Sequence, residues 1–344
     1  MLKSVREYEY DEFIEAVKSL KLPAFRGKQV YEWVNKGVLD FDAMTNIPKQ
    51  VTEVLKEHFT VSNMKIIQVM ASKSDGTKKY LMSLEDGHVI ECVYMMYRHG
   101  NTLCVSSQVG CRMKCSFCAS TVHGLERNLS SGEILGQVLE VMKDTGTKIS
   151  NVVLMGSGEP LDNYDEVLKF MKRLNHPKGL NISMRNITLS TCGVIPRIKD
   201  LMAEKLQITL AVSLHAVDNE ARDALMPVNK SYPIKALLDV CKEYIRETGR
   251  RVSFEFALIK DQNDTPEVAR RLGELLKGMN CHVNLIPINP VDGKKYMGSS
   301  QDNVKRFQNI LSDFHVEATT RRSLGADIDA ACGQLRNKHI NETL

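Results

Sequence analysis

The segment Cys111-Arg-Met-Lys-Cys115-Ser-Phe-Cys118 sets three thiols at the spacing C-x3-C-x2-C. Three thiolates this close can wrap one face of an iron–sulfur cube and leave one iron without a protein ligand. Such an open iron can chelate the amino and carboxylate groups of S-adenosylmethionine (SAM) and pass an electron into its sulfonium. Two other readings of the spacing stay open. Zinc would want a nearby fourth ligand, for which His123 is the close candidate. A ferredoxin-type electron carrier would normally supply a fourth cysteine.

A second constellation follows a short apolar stretch. Residues 151–155 read as a buried strand, and Gly156-Ser-Gly158-Glu159-Pro160 comes straight after it. Glycines there let the backbone approach a ligand closely, and Glu159 offers a carboxylate to an ammonium group. Ser190, Ser213-Leu214-His215 and Asn289 each stand at the end of a predicted strand, on the same rim. Taken singly, each is an ordinary strand-to-helix cap. Successive strand ends that all carry polar groups point instead to a site.

Two more cysteines invite chemistry. Cys104 lies on a predicted strand just before the cluster motif, and Cys332 sits beside Gly333 after the last predicted helix. Each is either a buried apolar cysteine or an accessible thiolate. Cys92, Cys192, Cys241 and Cys281 fall in apolar segments and read as core. Glu91, between Ile90 and Cys92, is either a desolvated carboxylate fit for proton transfer or a residue on a solvent face.

These residues need elements to hold them. Helical periodicity predicts helices at 11–20, 26–35 and 49–58, punctuated by Pro23, Gly37 and Pro48. Strands are predicted at 79–84, 88–94 and 102–106, with Asp86-Gly87 as a hairpin turn. Beyond residue 130, strands at 151–155, 186–189, 207–213, 252–258 and 282–287 alternate with helices at 131–143, 163–174, 195–203, 234–246, 266–276 and 303–314. Ser130 and Glu133 stand at capping-box spacing. Repeating βα units imply parallel strands with right-handed crossovers. The strands are too few for a closed eight-fold barrel. The expected class is therefore α/β, an incomplete TIM-like (β/α) barrel, open on one side to a large substrate and reactive at the strands' C-terminal ends.

Size and composition agree. The 344 residues suffice for one large domain and a small accessory one, and 43% hydrophobic with 26% charged residues is a globular balance. No run of 18 apolar residues is present, and residues 1–10 do not read as a secretion signal, so a cytoplasmic protein is expected. The net charge of +4 permits a nucleic-acid partner without demanding one. Nine cysteines without an export signal favour metal ligation and thiol chemistry over structural disulfides.

Several motifs together resemble one family. Val105-Ser-Ser-Gln-Val-Gly-Cys111, Gly158-Glu-Pro-Leu-Asp-Asn-Tyr164, Ser213-Leu-His215, Leu225-Met-Pro-Val-Asn229, Leu285-Ile-Pro-Ile-Asn-Pro290 and Asp327-Ile-Asp-Ala-Ala-Cys-Gly-Gln-Leu335 are similar to those of the RlmN-type radical SAM methyltransferases. The resemblance implies a barrel of the radical SAM type and methylation of carbon-2 of adenosine in 23S rRNA and tRNA, with two SAM molecules used per turnover. It places a [4Fe–4S] cluster on Cys111, Cys115 and Cys118, and SAM against Gly158, Glu159, Ser190, Ser213, Leu214, His215 and Asn289. It makes Cys332 the thiol that carries the methyl group. Cys104 would release the product by closing a disulfide with Cys332, and Glu91, or else Cys104, would take the ring proton. The implied partners are 23S rRNA, tRNA and an external one-electron donor such as flavodoxin, with a monomeric protein and no membrane.

The expected division is an RNA-contacting helical accessory domain at 1–62, a β-rich extension at 63–100, and the partial barrel with its C-terminal cysteine segment at 101–344. Arg26, Lys28, Arg112, Arg127, Arg321 and Arg322 are candidate phosphate contacts. The rival readings are a carbon-8 methyltransferase of the Cfr type, a non-catalytic iron–sulfur RNA-binding protein and a zinc-binding module.

Overall fold

Ten strands hydrogen-bond into one sheet whose spatial order is the order of the chain. The computed structural model describes residues 2–62, 64–288, 296–321, 324–328 and 334–343. Strands β1 (Lys3–Ser4) and β2 (Phe59–Thr60) pair in parallel and bracket three helices, α1 (Tyr10–Ser19), α2 (Ala24–Asn35) and α3 (Lys49–His58). Phe13, Ile14 and Val17 form the buried stripe of α1. Gly27 lets α2 approach it closely, since a Cβ there would stand 3.2 Å from the Ile14 Cα. The module is fixed to the rest of the chain by Arg6, which is wholly buried and donates to Glu140 at 3.0 Å.

The large sheet begins as an antiparallel meander of β3 (Met64–Ala71), β4 (Lys78–Leu84), β5 (Val89–Tyr97) and β6 (Gly100–Cys104). Asp86 and Gly87 make the predicted turn between β4 and β5, with Gly87 in the left-handed region at φ 85°. A small hairpin, β7 (Gln108–Gly110) with β8 (Leu125–Asn128), then carries the three-cysteine loop at its tip. Helix α4 (Ser131–Thr145) starts on the predicted capping box: the Ser130 hydroxyl accepts the Glu133 N–H at 3.1 Å, and the Glu133 carboxylate accepts the Ser130 N–H at 2.9 Å.

From there the chain alternates. It runs through β9 (Asn151–Leu154), α5 (Tyr164–Asn175), β10 (Ile187–Thr191), α6 (Ile195–Ala203), β11 (Thr209–Ser213), α7 (Asn219–Leu225) and α8 (Ile234–Thr248). It continues through β12 (Val252–Leu258), α9 (Pro266–Leu276), β13 (Cys281–Pro287), α10 (Gln301–Asp313), β14 (Ala318–Thr320) and α11 (Gln334–Thr343). Each strand from β6 onward pairs in parallel with the next of the sheet. Among the described residues β14 and β3 do not pair, so the barrel is incomplete. One cavity is lined both by Val93 and Met95 of β5 and by Ile286 and Pro287 of β13, so the sheet curves around it. The fold is the α/β partial barrel that the sequence pattern predicts. Among the described residues, no helix is long and apolar enough to cross a membrane.

Candidate active site

The parallel strands end at the cavity, which holds about 350 Å³ and opens to solvent. Cys104 is the last residue of β6, opposite Val93 of β5 and beside Val153 of β9. Ser190 lies near the end of β10, Ser213 ends β11, and all three residues line the cavity. Parallel pairing thus turns residues spread over more than a hundred positions into one rim.

Cys111, Cys115 and Cys118 line the same cavity. The hairpin stem fixes where their loop starts, and Gly110 makes the stem possible: at φ 78°, any Cβ would stand 1.9 Å from the Gly124 carbonyl oxygen. The Ser116 N–H donates to the Leu225 carbonyl at 2.9 Å, which ties the middle of the loop to the end of α7. Burial pushes the Cys111 thiol up to about 12 and raises Cys115 further, while the Met113 N–H works in the opposite direction at Cys111. Thiolates there require positive charge close by, which cluster iron supplies. Among the described residues, no group of three His, Cys, Asp or Glu side chains is arranged to hold a single metal ion. Thiols that bind three different irons of a cube stand further apart than the ligands of one ion. His123, the fourth ligand that zinc would need, is exposed and is not part of the cavity wall. Three thiols converging on one cavity wall are the donor set of an iron–sulfur cube.

Glu159 lines the cavity from the loop after β9 and is 3% exposed. One of its oxygens accepts the Cys192 N–H at 2.7 Å and the other accepts the Leu161 N–H at 3.0 Å. Burial raises its pKa, and the Cys192 N–H, the Thr191 hydroxyl, the Cys192 thiol and the Leu161 N–H act against that shift. Each carboxylate oxygen has a further lone pair, so an ammonium group can still be received. Gly158 also lines the cavity, at φ 110°, where a Cβ would stand 2.7 Å from the Gln108 Cβ and 2.8 Å from the Gln108 nitrogen. A Cβ on Gly156 would stand 2.6 Å from the Val105 carbonyl oxygen. These glycines thus admit the chain's own residues 105–108 as well as a cavity wall.

His215 is buried, with φ 57°. Burial first, and Arg222 second, depress its pKa to about 3, so the ring is neutral. The Ala257 N–H donates to Nδ1 at 2.9 Å, which leaves the ring proton on Nε2. Leu214 differs from its neighbours. Its side chain is wholly buried away from the cavity lining, and its N–H donates to the Glu255 carbonyl at 3.0 Å.

Glu91 is not on a solvent face. It is 2% exposed and stands on β5 two residues before the cavity-lining Val93. Its carboxylate lies 3.5 Å from the Lys79 ammonium and accepts the Arg336 N–H at 3.1 Å. Asn289, Cys332 and Arg322 lie outside the described residues. Arg321 and Leu324 line the cavity, Leu324 packs on the patch of Val93, Met95 and Cys104, and Arg336 is bonded to Glu91. No disulfide joins any two described cysteines, and the expected Cys104–Cys332 link falls on a residue outside them.

Several residues of the site were not legible in the sequence. Cys192, read there as core, lines the cavity because it follows the end of β10 and turns its N–H toward Glu159. Glu255 of β12 also lines it, with its pKa raised by burial and one oxygen accepting the Asn284 amide at 2.8 Å. Arg222 of α7 sits beneath the rim and donates to carbonyls of Cys192, Ser213 and Leu214. Asp218, whose carboxylate caps α7 by accepting the Ala221 N–H at 2.8 Å, was the one available signal for that helix. Among the candidate phosphate contacts, Arg112 pairs with Asp162, Arg127 with Asp86 and Glu133, and Arg26 donates to Gln29 and to the Asn46 carbonyl.

Comparison with known proteins adds an independent line. A Radical SAM superfamily profile matches residues 105–272, and a ribosomal RNA large subunit methyltransferase N-terminal domain profile matches residues 5–61. The chain is 49% identical, over 99% of both lengths, to the probable dual-specificity RNA methyltransferase RlmN of Clostridium acetobutylicum. It is 54% identical, over 96% of both lengths, to the protein of the same description in Alkaliphilus oremlandii. The crystal structure of a radical SAM methyltransferase from Sphaerobacter thermophilus superposes with a TM-score of 0.93 at 39% identity, covering 96% of this chain and 98% of that one.

Proposed function

The chain belongs to the RlmN family of radical SAM RNA methyltransferases, with a [4Fe–4S] cluster and SAM as its cofactors, and from that premise we propose that it methylates carbon-2 of adenosine in 23S rRNA and tRNA. The observation that carries this reading is the meeting of the three motif cysteines, Cys104 and Glu159 on one cavity at the strand ends. Carbon-2 of adenine is electron-poor and a weak nucleophile, so polar displacement on a sulfonium methyl fails there. The cluster, once loaded with SAM, supplies a one-electron reductive cleavage of the sulfonium.

The chain's own residues do the rest. Cys111, Cys115 and Cys118 hold the cluster. Glu159 receives the ammonium of SAM, Gly158 shapes the wall beside it, and Ser190, Ser213 and Asn289 offer polar groups along the rim. His215, neutral and protonated at Nε2, can only donate from that atom; Leu214 acts by setting the backbone beneath it. Cys332 takes the methyl group as a thiolate nucleophile, and Cys104 frees the product by attacking that sulfur. Glu91 or Cys104 removes the ring proton. The target base leaves its stack to reach the cavity. Residues 1–62 form the accessory domain that meets RNA, 63–100 extend the sheet, and 101–344 form the barrel with its cysteine segment. The protein works in the cytoplasm as a monomer with an external one-electron donor.

The deciding experiment is an anaerobic assay of the reconstituted protein with SAM and RNA, followed by mass spectrometry of the nucleosides. Appearance of 2-methyladenosine is expected. A product of 8-methyladenosine would move the chain to carbon-8 chemistry, and no SAM cleavage at all would refute the catalytic reading.

A further inference from the structure

Arg222 is wholly buried, yet no carboxylate among the described residues lies within ion-pair distance of it. Its five N–H groups are used on neutral oxygens. Nε donates to Leu214 O at 3.1 Å, and Nη2 to Cys192 O at 2.8 Å and Ser213 O at 3.0 Å. Nη1 donates to Asn229 Oδ1 at 3.0 Å and to Tyr232 O at 3.4 Å. The adjacent Asp223 stands outside ion-pair distance; it accepts the Asn229 amide at 2.7 Å and attracts the guanidinium only weakly, at longer range. A buried charge with no counter-ion is costly, and hydrogen bonds to carbonyls satisfy its donors without cancelling its charge.

The missing negative charge has an evident source. Arg222 belongs to α7, whose last residue Leu225 accepts the N–H of Ser116 in the cysteine loop. Cys115 shares one small buried cluster with Leu225, Met226 and Cys192, and the guanidinium holds the Cys192 carbonyl.

We infer that Arg222 is the fixed counter-charge of the iron–sulfur cluster, a positioning residue that makes the cluster easier to reduce. The inference rests on the cluster assignment above. Reduction adds one electron to the cluster core and no proton, and no bond is made or broken. The reduced form therefore carries one more negative charge in a site of low dielectric, where a fixed cation favours it. Three of these hydrogen bonds also pin the ends of β10 and β11, so a purely structural role is the competing explanation.

The test is a dithionite titration of the [4Fe–4S] couple, followed by electron paramagnetic resonance, on the full chain reconstituted anaerobically without SAM. Iron and sulfide are quantified first. A wild-type chain that binds no cluster would overturn the assignment itself, whereas the comparison of variants tests Arg222 alone. Arg222→Met is expected to shift the midpoint to a more negative potential, and Arg222→Lys, which keeps the charge but not the fork, to stay near the wild type. An unshifted midpoint in a fully loaded Arg222→Met protein overturns the inference, as does a shift in Arg222→Lys equal to that in Arg222→Met. Should Arg222→Met fail to hold a cluster, the pair Asp223→Asn with Asn229→Asp decides. It moves one carboxylate onto the guanidinium at constant net charge, so a more negative midpoint supports the inference and an unchanged one overturns it.

Discussion

The carboxylate of Glu91 accepts the backbone N–H of Arg336 at 3.1 Å, joining β5 to a residue 245 positions later in the chain. Arg336 also donates from Nε to the Val89 carbonyl at 2.9 Å and pairs with Glu126. Asn337 donates to the Ala119 carbonyl, one residue past Cys118. The start of α11 is thus fastened both to β5 and to the cysteine hairpin. Glu91 has two candidate jobs, a proton acceptor and an anchor.

The two jobs separate by mutation. Glu91→Gln leaves Lys79 buried beside a neutral amide, which should cost roughly 3–5 kcal/mol of stability in denaturant unfolding. Adding Lys79→Met should restore part of it, since no buried ammonium then faces the amide. If Glu91 takes the ring proton, the double variant stays without methylation despite regained stability. Recovery of full turnover in the double variant would leave Glu91 an anchor only.

Cys332→Ala should abolish methylation while iron content and SAM binding remain at wild-type levels. Cys104→Ala should accumulate a covalent protein–RNA adduct, visible as a shifted band under denaturing conditions. Unlinked RNA and normal turnover from Cys104→Ala would remove that thiol from the mechanism.

His215 makes stability depend on pH. Its folded pKa of about 3 lies below the ordinary histidine value, so between those limits the unfolded chain binds the extra proton. Stability contributed by the neutral ring is complete above pH 6.5 and is lost as the pH falls toward 3. Between pH 7 and pH 4 the loss should be about 3 kcal/mol on the order-of-magnitude linkage relation. His215→Gln should flatten the urea-midpoint profile in that window. An identical slope in the variant would exclude the ring as its source.

Gly158→Ala forces a side chain into the left-handed region and against Gln108. The strain should cost roughly 1–3 kcal/mol. Because Gly158 adjoins Glu159, SAM affinity should fall more than cluster content does. Equilibrium dialysis with labelled SAM and an iron assay on the same preparation measure both.

Most of the sheet could be read from periodicity, because its strands are apolar runs between amphipathic helices. Strand β12 and helices α6 and α9 fall where the pattern put them. The hairpin of β7 and β8 did not show, since Leu-Glu-Arg-Asn has no alternating pattern and its pairing partner sits beyond the cysteine loop. Helix α7 was missed because seven residues span barely two turns. The cysteine motif was plain from spacing alone. Arg222, Cys192 and Glu255 were not, because what gives each its meaning is a neighbour brought close by parallel pairing rather than by sequence.

A sheet laid down in chain order can also be assembled in that order while the ribosome is still at work. Nothing in the strand sequence from β3 to β14 requires a later piece to slip between two earlier ones. The metal-binding thiols emerge early, but the strand that ends at Pro287 arrives only after synthesis of the intervening stretch, roughly ten seconds at ordinary elongation rates. During that interval the three sulfurs are bare to oxidants and to stray metals, because the cavity that encloses them is still unfinished.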